Sequence, residues 1–126
     1  MEKVLVHRHL IVRAEVMNPF QDCNLAEQWI RDLVDKINMK ILSGPHVMYS
    51  DMVGNRGLTA ATVIETSHIV LHLWDEISPA LAQLDIYTCS CLDLQVAFDH
   101  FKVLEPTKIE YKFLDRDHCL TEIEIG

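Results

Sequence analysis

One short stretch of the sequence carries several side chains that could do chemistry. Residues 64–72 read I-E-T-S-H-I-V-L-H, so Ser67 and the two histidines His68 and His72 interrupt a run otherwise suited to a buried strand. A serine hydroxyl is a potential nucleophile, and imidazole is the side chain most often used for proton transfer near neutral pH. The stretch therefore indicates either a reactive site or a polar face of a sheet.

Three interpretations of this stretch remain open on the residues alone. The first is structural, with histidines on a solvated sheet face and free cysteines that pack as small hydrophobes. The second is a zinc site that joins His68 and His72 to the thiols of Cys89 and Cys91, since imidazole and thiolate ligands suit zinc. Residues four apart on a strand lie roughly 13 Å from one another, so two such histidines do not reach one ion without a bulge. We therefore predict no metal.

The third interpretation is a serine activated in a strained join between two strands. There the Ser67 hydroxyl attacks the carbonyl of Thr66 and converts the amide into an ester, an N-to-O acyl shift. Elimination of the ester breaks the chain and leaves a dehydroalanine, which hydrolyses to a pyruvoyl group, a built-in ketone that acts as an electron sink. His68, His72 and Cys89 would supply the acid–base groups.

Hydrophobic periodicity predicts the elements that position these groups, beginning with a strand over residues 3–17. The apolar face of that strand comprises Val4, Val6, Leu10, Val12, Ala14 and Val16. The sequence N-L-A-E then resembles a capping box, with Asn24 as N-cap and Glu27 reaching back, and predicts a helix over residues 25–38. The apolar side of this helix comprises Leu25, Trp29, Ile30, Leu33, Val34 and Ile37.

Further strands and a second helix follow along the chain. The predicted strands cover residues 40–43, 58–65, 68–74, 83–89 and 109–114. Turns are predicted at residues 43–45 and 54–57, and a loop at 75–79. A second capping box, S-C-L-D, predicts a helix over roughly residues 92–103 that ends before Pro106. This order predicts an α+β fold: a two-layer α/β sandwich with a mainly antiparallel sheet and two helices on one face.

The alternation of side chains separates the two faces of the predicted sheet. One face is apolar throughout and comprises Ile69, Leu71, Leu73, Leu84 and Ile86. The opposite face comprises His68, Val70, His72, Trp74, Asp85, Tyr87 and Cys89. A half-polar, half-aromatic face is rarely left bare, so we expect another protomer or a ligand to cover it.

Composition bounds the class of protein. The 126 residues suit a single domain spanning residues 1–126. A net charge of −8 disfavours nucleic acid or an anionic membrane as partner, because both need clustered Lys and Arg. No apolar run approaches the roughly 18 residues of a membrane span, and charges interrupt M-E-K-V-L-V-H-R-H-L too often for a signal peptide. The four cysteines show no secreted-scaffold spacing, which predicts reduced thiols in a cytoplasmic protein.

The surroundings of Ser67 resemble the short prokaryotic class of the pyruvoyl-dependent S-adenosylmethionine decarboxylase family. Residues 57–76 read G-L-T-A-A-T-V-I-E-T-S-H-I-V-L-H-L-W-D-E, where the family reads approximately G-x-S-G-V-V-V-I-x-E-S-H-L-x-I-H-T-W-P-E without a gap. D-I-Y-T-C at residues 85–89 resembles the family's D-x-F-T-C after a somewhat longer loop, and R-H-L at residues 8–10 matches a weaker motif. The order of elements agrees over roughly residues 7–115.

The resemblance implies self-cleavage, a pyruvoyl cofactor and a homodimer with active sites near its interface. Ser67 matches the serine that becomes the pyruvoyl group, His72 the histidine associated with processing, and Cys89 the proton donor in decarboxylation. Thr59 stands where the family has a serine that assists processing, and His68 follows the nucleophile as in the family.

The substrate implied by the resemblance is S-adenosylmethionine, decarboxylated for polyamine (spermidine) biosynthesis by a carboxy-lyase. Trp74 and Glu76 match positions near the substrate pocket, and Glu76 is a candidate to hold ribose hydroxyls. The negative net charge suits a sulfonium substrate. The tail, residues 115–126, lies beyond the resemblance and is predicted to add an edge strand without an assigned function.

Departures from the family pattern keep two other functions open. The family cleaves between glutamate and serine, whereas Thr66 precedes Ser67 here and the glutamate stands one place earlier, at Glu65. This change favours an unprocessed, non-catalytic homologue that binds a nucleoside-like ligand or a partner protomer. The replacement of P-E by D-E after Trp74, together with the longer loop, alters the rim of the pocket. A second alternative is therefore a pyruvoyl decarboxylase of another amino acid, such as a basic one, with its specificity set over residues 75–81.

Overall fold

Seven antiparallel strands and two helices account for most of the chain in its computed structural model, which describes residues 6–124. The elements are β1 (Arg8–Val16), α1 (Cys23–Lys36), β2 (Ile41–Ser50), β3 (Gly57–Ile64), β4 (Ser67–Trp74), β5 (Ala80–Thr88), α2 (Leu94–Phe101), a short 3-10 helix (Lys102–Leu104), β6 (Pro106–Asp115) and β7 (Thr121–Glu122). The strands lie in the order β2-β3-β4-β5-β1-β6-β7. The predicted α+β fold with a mainly antiparallel sheet is confirmed.

The hydrophobic core lies between one face of the sheet and the two helices. Ile69 pairs with Ile86 and Leu71 with Leu84 across β4 and β5, and all four are at most 2% exposed. Buried side chains of both helices join the same cluster, among them Ile30 of α1. The predicted division of the sheet into an apolar face under the helices and an outer, half-polar face is therefore confirmed. The prediction is wrong for Cys89, which was expected on the outer face but follows the end of β5 and is buried.

Both helices begin at a different cap from the one predicted. The Asp22 carboxylate accepts the backbone N–H of Asn24 at 2.8 Å, so Asp22 is the N-cap of α1 and Asn24 is already helical. Asp93 caps α2 in the same way. In each case an aspartate directly before the helix accepts an N–H of the first turn, so the predicted capping box does not cap the helix. The Glu27 carboxylate pairs with Arg31 one turn later instead of reaching back.

The predicted apolar side of α1 is wrong at one position. Leu25 is 60% exposed, whereas Trp29, Ile30, Leu33, Val34 and Ile37 are buried as predicted. The buried stripe begins at Ala26, which is completely buried and lies one turn before Ile30. Leu25 therefore falls at the margin of the stripe.

The predicted short strand over residues 40–43 with a turn at 43–45 is also wrong. β2 runs without interruption from Ile41 to Ser50. Its register against β3 shifts between Ile41 and Ser43 and again between Ser43 and His46. Gly44, with φ of +101°, lies inside this irregularity. A Gly-Pro pair is compatible with a bulge as well as with a turn, and here the strand bulges and continues.

The first and last strands of the structure test the predictions made for the two ends of the chain. The first strand begins at Arg8 and buries Leu10, Val12, Ala14 and Val16 as predicted. Val6 is half-buried and precedes the strand, and the part of the prediction that includes Val4 lies outside the described residues. Thr121–Glu122 pairs with β6, so the edge strand predicted in the tail is confirmed. Neither of the described helices is both long and apolar enough to cross a membrane.

Candidate active site

Ser67 opens β4 directly after a two-residue turn made of Glu65 and Thr66. The ladder between β3 and β4 closes with Ile64 opposite Ser67, so the join is as tight as predicted. Thr66 has φ of +52°, in the left-handed region that β-branched residues rarely adopt. The peptide bond before Ser67 therefore follows a backbone conformation that costs free energy.

The hydroxyl of Ser67 is buried and lacks a partner. Ser67 is 8% exposed, and its Oγ makes no hydrogen bond within the described part of the chain. It has the same parity along β4 as the buried Ile69 and Leu71, so it belongs to the helix-covered side of the sheet. A buried hydroxyl without a hydrogen bond is costly and calls for a specific explanation. A nucleophile that attacks the adjacent carbonyl provides one.

Cys89 follows β5 and brings a thiol to the same turn. It is 6% exposed, and its Sγ lies 3.0 Å from Thr66 Oγ1 and 3.6 Å from the carbonyl oxygen of Glu65. Thr66 Oγ1 in turn lies 2.8 Å from that carbonyl oxygen. Glu65, Thr66, Ser67 and Cys89 thus form one compact group, here called the turn end.

A polar cluster lies on the outer face beside the turn end. His68 Nε2 is 3.1 Å from Asp85 Oδ1, and His9 Nε2 is 2.6 Å from the same oxygen. Tyr87 pairs with His68 on one side and with His9 on the other, which brings the two imidazoles together. Alternation along β1 and β5 is enough to place His9 and Asp85 on the polar face. Their contact also requires β1 to lie next to β5, which alternation within one strand does not predict.

The cluster has the composition of a metal site but is arranged as a hydrogen-bonded network. The ligand atoms of His9, His68 and Asp85 lie within 4.8 Å of one another. Arg116 Nη1 is 3.2 Å from His9 Nδ1. A guanidinium only donates, so Nδ1 of His9 accepts from Arg116, and Nε2 carries a proton that it donates to Asp85. A metal ligand would need that nitrogen without its proton.

The zinc site considered on the sequence is not assembled. His68 contacts Asp85, whereas His72 contacts Thr59 and Cys89 contacts the turn.

Thr59 and His72 face each other across β3 and β4, at the other end of the hairpin. Thr59 Oγ1 is 3.0 Å from His72 Nδ1, and the Trp74 ring lies 5.8 Å from the imidazole. The three residues line a cleft of about 260 Å³. The Trp74 indole N–H donates to Asn55 Oδ1 at 2.9 Å, which fixes the ring against the loop over residues 51–56. These residues, with that loop and residues 75–76, are here called the cleft end.

Two carboxylates after Trp74 anchor the loop of the cleft end. The Asp75 side chain, only 2% exposed, accepts from Arg56 Nε at 2.9 Å and from the Tyr49 hydroxyl at 2.7 Å. Burial alone would raise the pKa of Asp75, but the hydrogen bonds from Tyr49 and Arg56 outweigh it and leave the pKa below its usual value. Glu76 Oε1 accepts the backbone N–H of Arg56 at 2.9 Å. Backbone hydrogen bonds from Arg56 and Gly54 lower the pKa of Glu76.

Sequence reasoning missed this anchor. Asp75 was noted only as a departure from the family pattern, and its partners stand 19 and 26 positions away along the chain. No local signal links them. Their meeting follows from the pairing of β2, β3 and β4.

The turn end and the cleft end are far apart within one protomer. Thr59 pairs with His72, and Ile64 pairs with Ser67, so the two rungs are separated by the residues from 67 to 72 of β4. A strand rises about 3.3 Å per residue, which puts roughly 17 Å between the rungs. The structure therefore brings Ser67 together with Cys89, and Thr59 together with His72 and Trp74, but it does not bring the two groups together.

The chain is similar to known proteins along most of its length. A family model described as S-adenosylmethionine decarboxylase matches residues 8–117. The S-adenosylmethionine decarboxylase proenzyme of Pyrobaculum islandicum is 41% identical over 64 residues, which cover 49% of this chain and 50% of that protein. The proenzyme of Pyrococcus horikoshii is 28% identical over 109 residues, or 84% of this chain and 73% of that protein. The chain thus aligns with about half the length of the Pyrobaculum relative.

A solved structure shares the fold. The adenosylmethionine decarboxylase of Aquifex aeolicus superposes with a TM-score of 0.70 over 96% of this chain and 98% of that one. The two sequences are 20% identical, so this likeness concerns the fold alone.

Proposed function

The chain belongs to the S-adenosylmethionine decarboxylase family, and on that premise we propose that it is a self-cleaving carboxy-lyase that decarboxylates S-adenosylmethionine for polyamine biosynthesis. The Pyrobaculum and Pyrococcus relatives are S-adenosylmethionine decarboxylase proenzymes, which supports this substrate. One observation carries the proposal. The hydroxyl of Ser67 is buried without a hydrogen bond directly after a residue held in the left-handed region.

Self-cleavage follows from that position. Ser67 Oγ attacks the carbonyl carbon of Thr66, the peptide C–N bond breaks, and the nitrogen of Ser67 becomes an amine. Loss of the α-proton of Ser67 then expels the carboxylate of Thr66, and water replaces the nitrogen, which leaves as ammonia. The resulting pyruvoyl group at position 67 supplies a ketone that withdraws electrons from the α-carbon of the substrate. The Ser67 hydroxyl makes no hydrogen bond within the described residues, so none has to break before the hydroxyl attacks.

Residues around the turn would hold and move protons. Cys89 carries a thiol against the turn, and we assign it as the proton donor in decarboxylation. His68 is held by Asp85 on the outer face, where it is available as an acid or base. The free thiols found at Cys23, Cys89, Cys91 and Cys119 support a reducing compartment such as the cytoplasm.

The cleft end would bind the substrate. Trp74 provides a flat wall beside His72. Backbone hydrogen bonds from Arg56 and Gly54 favour the charged carboxylate of Glu76, and its exposed side chain would offer acceptor oxygens to ribose hydroxyls. The net charge of −8 attracts a sulfonium cation.

A homodimer would complete the site. Thr59 and His72 lie roughly 17 Å along the sheet from Ser67, too far to assist its cleavage within one protomer. If the outer faces of two copies pack together, two-fold symmetry can place the cleft end of one copy beside the turn end of the other, twice over. Exposed apolar side chains on that face support such packing, including Ile11 at 41% and Val63 at 49% exposure.

The first test is an intact mass spectrum of freshly purified protein under denaturing conditions. We expect two pieces, residues 1–66 and 67–126, the second with a pyruvoyl end, and release of labelled carbon dioxide from carboxyl-labelled S-adenosylmethionine. The Ser67→Ala variant should remain one inactive chain, whereas Ser78→Ala, in the exposed loop before β5, should cleave normally.

A single unmodified chain after long incubation would contradict the proposal. The unprocessed homologue favoured by Thr66 would then account for the fold. Cleavage without carbon dioxide release would leave a pyruvoyl enzyme with another amino-acid substrate.

A further inference from the structure

We propose that Thr66 is a positioning residue for Cys89: its hydroxyl holds the thiol against the scissile turn and stabilises the thiolate that forms when Cys89 gives up its proton. The catalytic consequence rests on the proposed function, whereas the contact itself does not. The pattern that the chain resembles has glutamate at this place, so the role would belong to the threonine of this chain.

Three polar atoms form a triangle at the turn. Thr66 Oγ1 lies 3.0 Å from Cys89 Sγ and 2.8 Å from the carbonyl oxygen of Glu65, and the thiol lies 3.6 Å from the same oxygen. The hydroxyl has one proton to donate and two neighbours that can accept it. Which neighbour receives the proton therefore depends on the state of the thiol.

Two arrangements of the triangle match the two states of Cys89. When the thiol holds its proton, the S–H can donate to Thr66 Oγ1 while the hydroxyl donates to the Glu65 carbonyl. When the thiol has lost its proton, the hydroxyl can turn and donate to the sulfur, and a hydrogen bond to a charged acceptor is stronger than a neutral one. Rotation of the Thr66 hydroxyl thus provides a hydrogen bond to the sulfur in both protonation states of Cys89, without movement of the backbone.

A glutamate in place of Thr66 would act differently on the thiol. A carboxylate within a few ångströms of Sγ would repel the thiolate, because like charges in a partly buried site disfavour each other. In the uncleaved chain, the hydroxyl of Thr66 gives the thiolate a donor, and its side chain adds no charge. The departure from the family pattern is therefore compatible with a proton donor at Cys89.

A backbone hydrogen bond holds the residue before Thr66 in place and does not involve the scissile bond. The backbone N–H of Glu65 donates to the carbonyl of Lys40 at 3.1 Å, which ties the end of β3 to the segment before β2. Cleavage after Thr66 would leave this bond intact. Thr66, one residue beyond Glu65, would then stay close to Cys89.

The test measures the reactivity of Cys89 in the uncleaved chain. In a Ser67→Ala background, each thiol is alkylated with iodoacetamide at pH 8, and the fragment-ion masses of the peptide that contains both residues separate Cys89 from Cys91. Thr66→Val keeps the shape and the β-branch but removes the hydroxyl, and it should slow alkylation of Cys89 by about tenfold, the loss of one hydrogen bond to a charged sulfur. Cys91 should react at an unchanged rate.

Two further variants separate the hydroxyl from the shape of the side chain. Thr66→Ser should restore the rate to within about twofold, since it keeps the donor. Thr107→Val, which removes a hydroxyl on β6 that donates to the backbone carbonyl of Glu15 on β1, should leave Cys89 unaffected. Circular dichroism checks that each variant is folded.

The outcomes distinguish this inference from the proposed function. An unchanged or faster rate in Thr66→Val, with the fold intact, overturns the role of Thr66 even if the protein cleaves itself. A slower rate supports it even if the wild-type chain never cleaves. If the wild type does mature, the same comparison in the cleaved protein should show the same order of rates, and loss of that order would limit the role to the uncleaved chain and overturn its catalytic part.

Discussion

The two ends of the β3–β4 hairpin are built in opposite ways. At the turn end, Thr66 holds a left-handed conformation, and the hydroxyl of Ser67 lacks a hydrogen-bond partner among the described residues. At the cleft end, Asp75 binds Arg56 and Tyr49, and Trp74 binds Asn55. One end keeps a polar group unsatisfied, and the other satisfies its polar groups with fixed partners.

This difference matches two different tasks. A bond that must break is helped by a strained backbone and by a nucleophile without a competing hydrogen bond. A pocket that must recognise a substrate needs side chains held in place by their neighbours. Because the same hairpin provides both ends roughly 17 Å apart, the homodimer proposed above is the arrangement that would bring the two tasks together.

The strongest test of this comparison mixes two inactive variants in one dimer. Ser67→Ala disables the turn end and His72→Ala disables the cleft end, so each variant alone should be inactive. When they are co-expressed, random pairing makes about half of the dimers mixed, and each mixed dimer has one intact site. We expect about a quarter of wild-type decarboxylation to return.

A matched pair of variants provides the control for the mixing experiment. Ser67→Ala and Cys89→Ala disable the same end, so no mixed dimer regains an intact site and activity should stay at background. Recovery in this pair, or none in the first, would show that the ends are not divided between copies as we propose.

The sequence predicts much of this arrangement because most of it is local. Alternation predicts Ile69 on one side of β4 and His72 and Trp74 on the other, and the structure agrees. Ser67 was expected in the join before the strand, but it opens β4 on the side of Ile69. The predicted caps of the helices are wrong because an aspartate directly before each helix, Asp22 before α1 and Asp93 before α2, accepts an N–H of the first turn instead.

The anchors between strands could not be predicted in the same way. Asp75 meets Arg56 and Tyr49 only after three strands have paired in register. His9 and His68 share Asp85 for the same reason, since β1 and β4 both flank β5. Such contacts depend on topology, which periodicity within one element does not encode.

A smaller effect should follow from loosening the cleft end. Asp75→Asn keeps the size of the side chain but removes the buried charge that Arg56 and Tyr49 bind. Since breaking a buried pair leaves its partner uncompensated, we expect Tm at pH 7 to fall by about 5 °C. Asp51→Asn, an exposed carboxylate in the same loop, should change Tm little.

The pH dependence of Tm identifies the charge of Asp75 as the cause. The pKa of Asp75 is lowered in the folded protein from its ordinary value of 3.8. Its contribution to stability is therefore present above that value and is lost as the pH falls through the lower, folded-state pKa. The gap in Tm between wild type and Asp75→Asn should close below about pH 4. A gap that persists in acid would assign the effect to packing.

The smallest expected effect concerns His100, which lies on α2 outside both ends. Its Nε2 is 2.7 Å from the carbonyl oxygen of Trp29, and the two rings stack at 4.7 Å. Burial lowers the pKa of His100 below 6.5, and the positive charge of the nearby Lys36 lowers it further. The hydrogen bond to the Trp29 carbonyl raises this pKa but does not outweigh the other two effects. The folded state therefore prefers the neutral imidazole, so its contribution to stability is present above pH 6.5 and is lost as the pH falls through the folded-state pKa. His100→Gln should remove about 2 °C of the fall in Tm between pH 8 and pH 5, and it should leave the pH profile of decarboxylation unchanged. A shifted activity profile in this variant would mean that α2 is coupled to the site, and the contrast between the two ends would then not be sufficient to explain how the protein works.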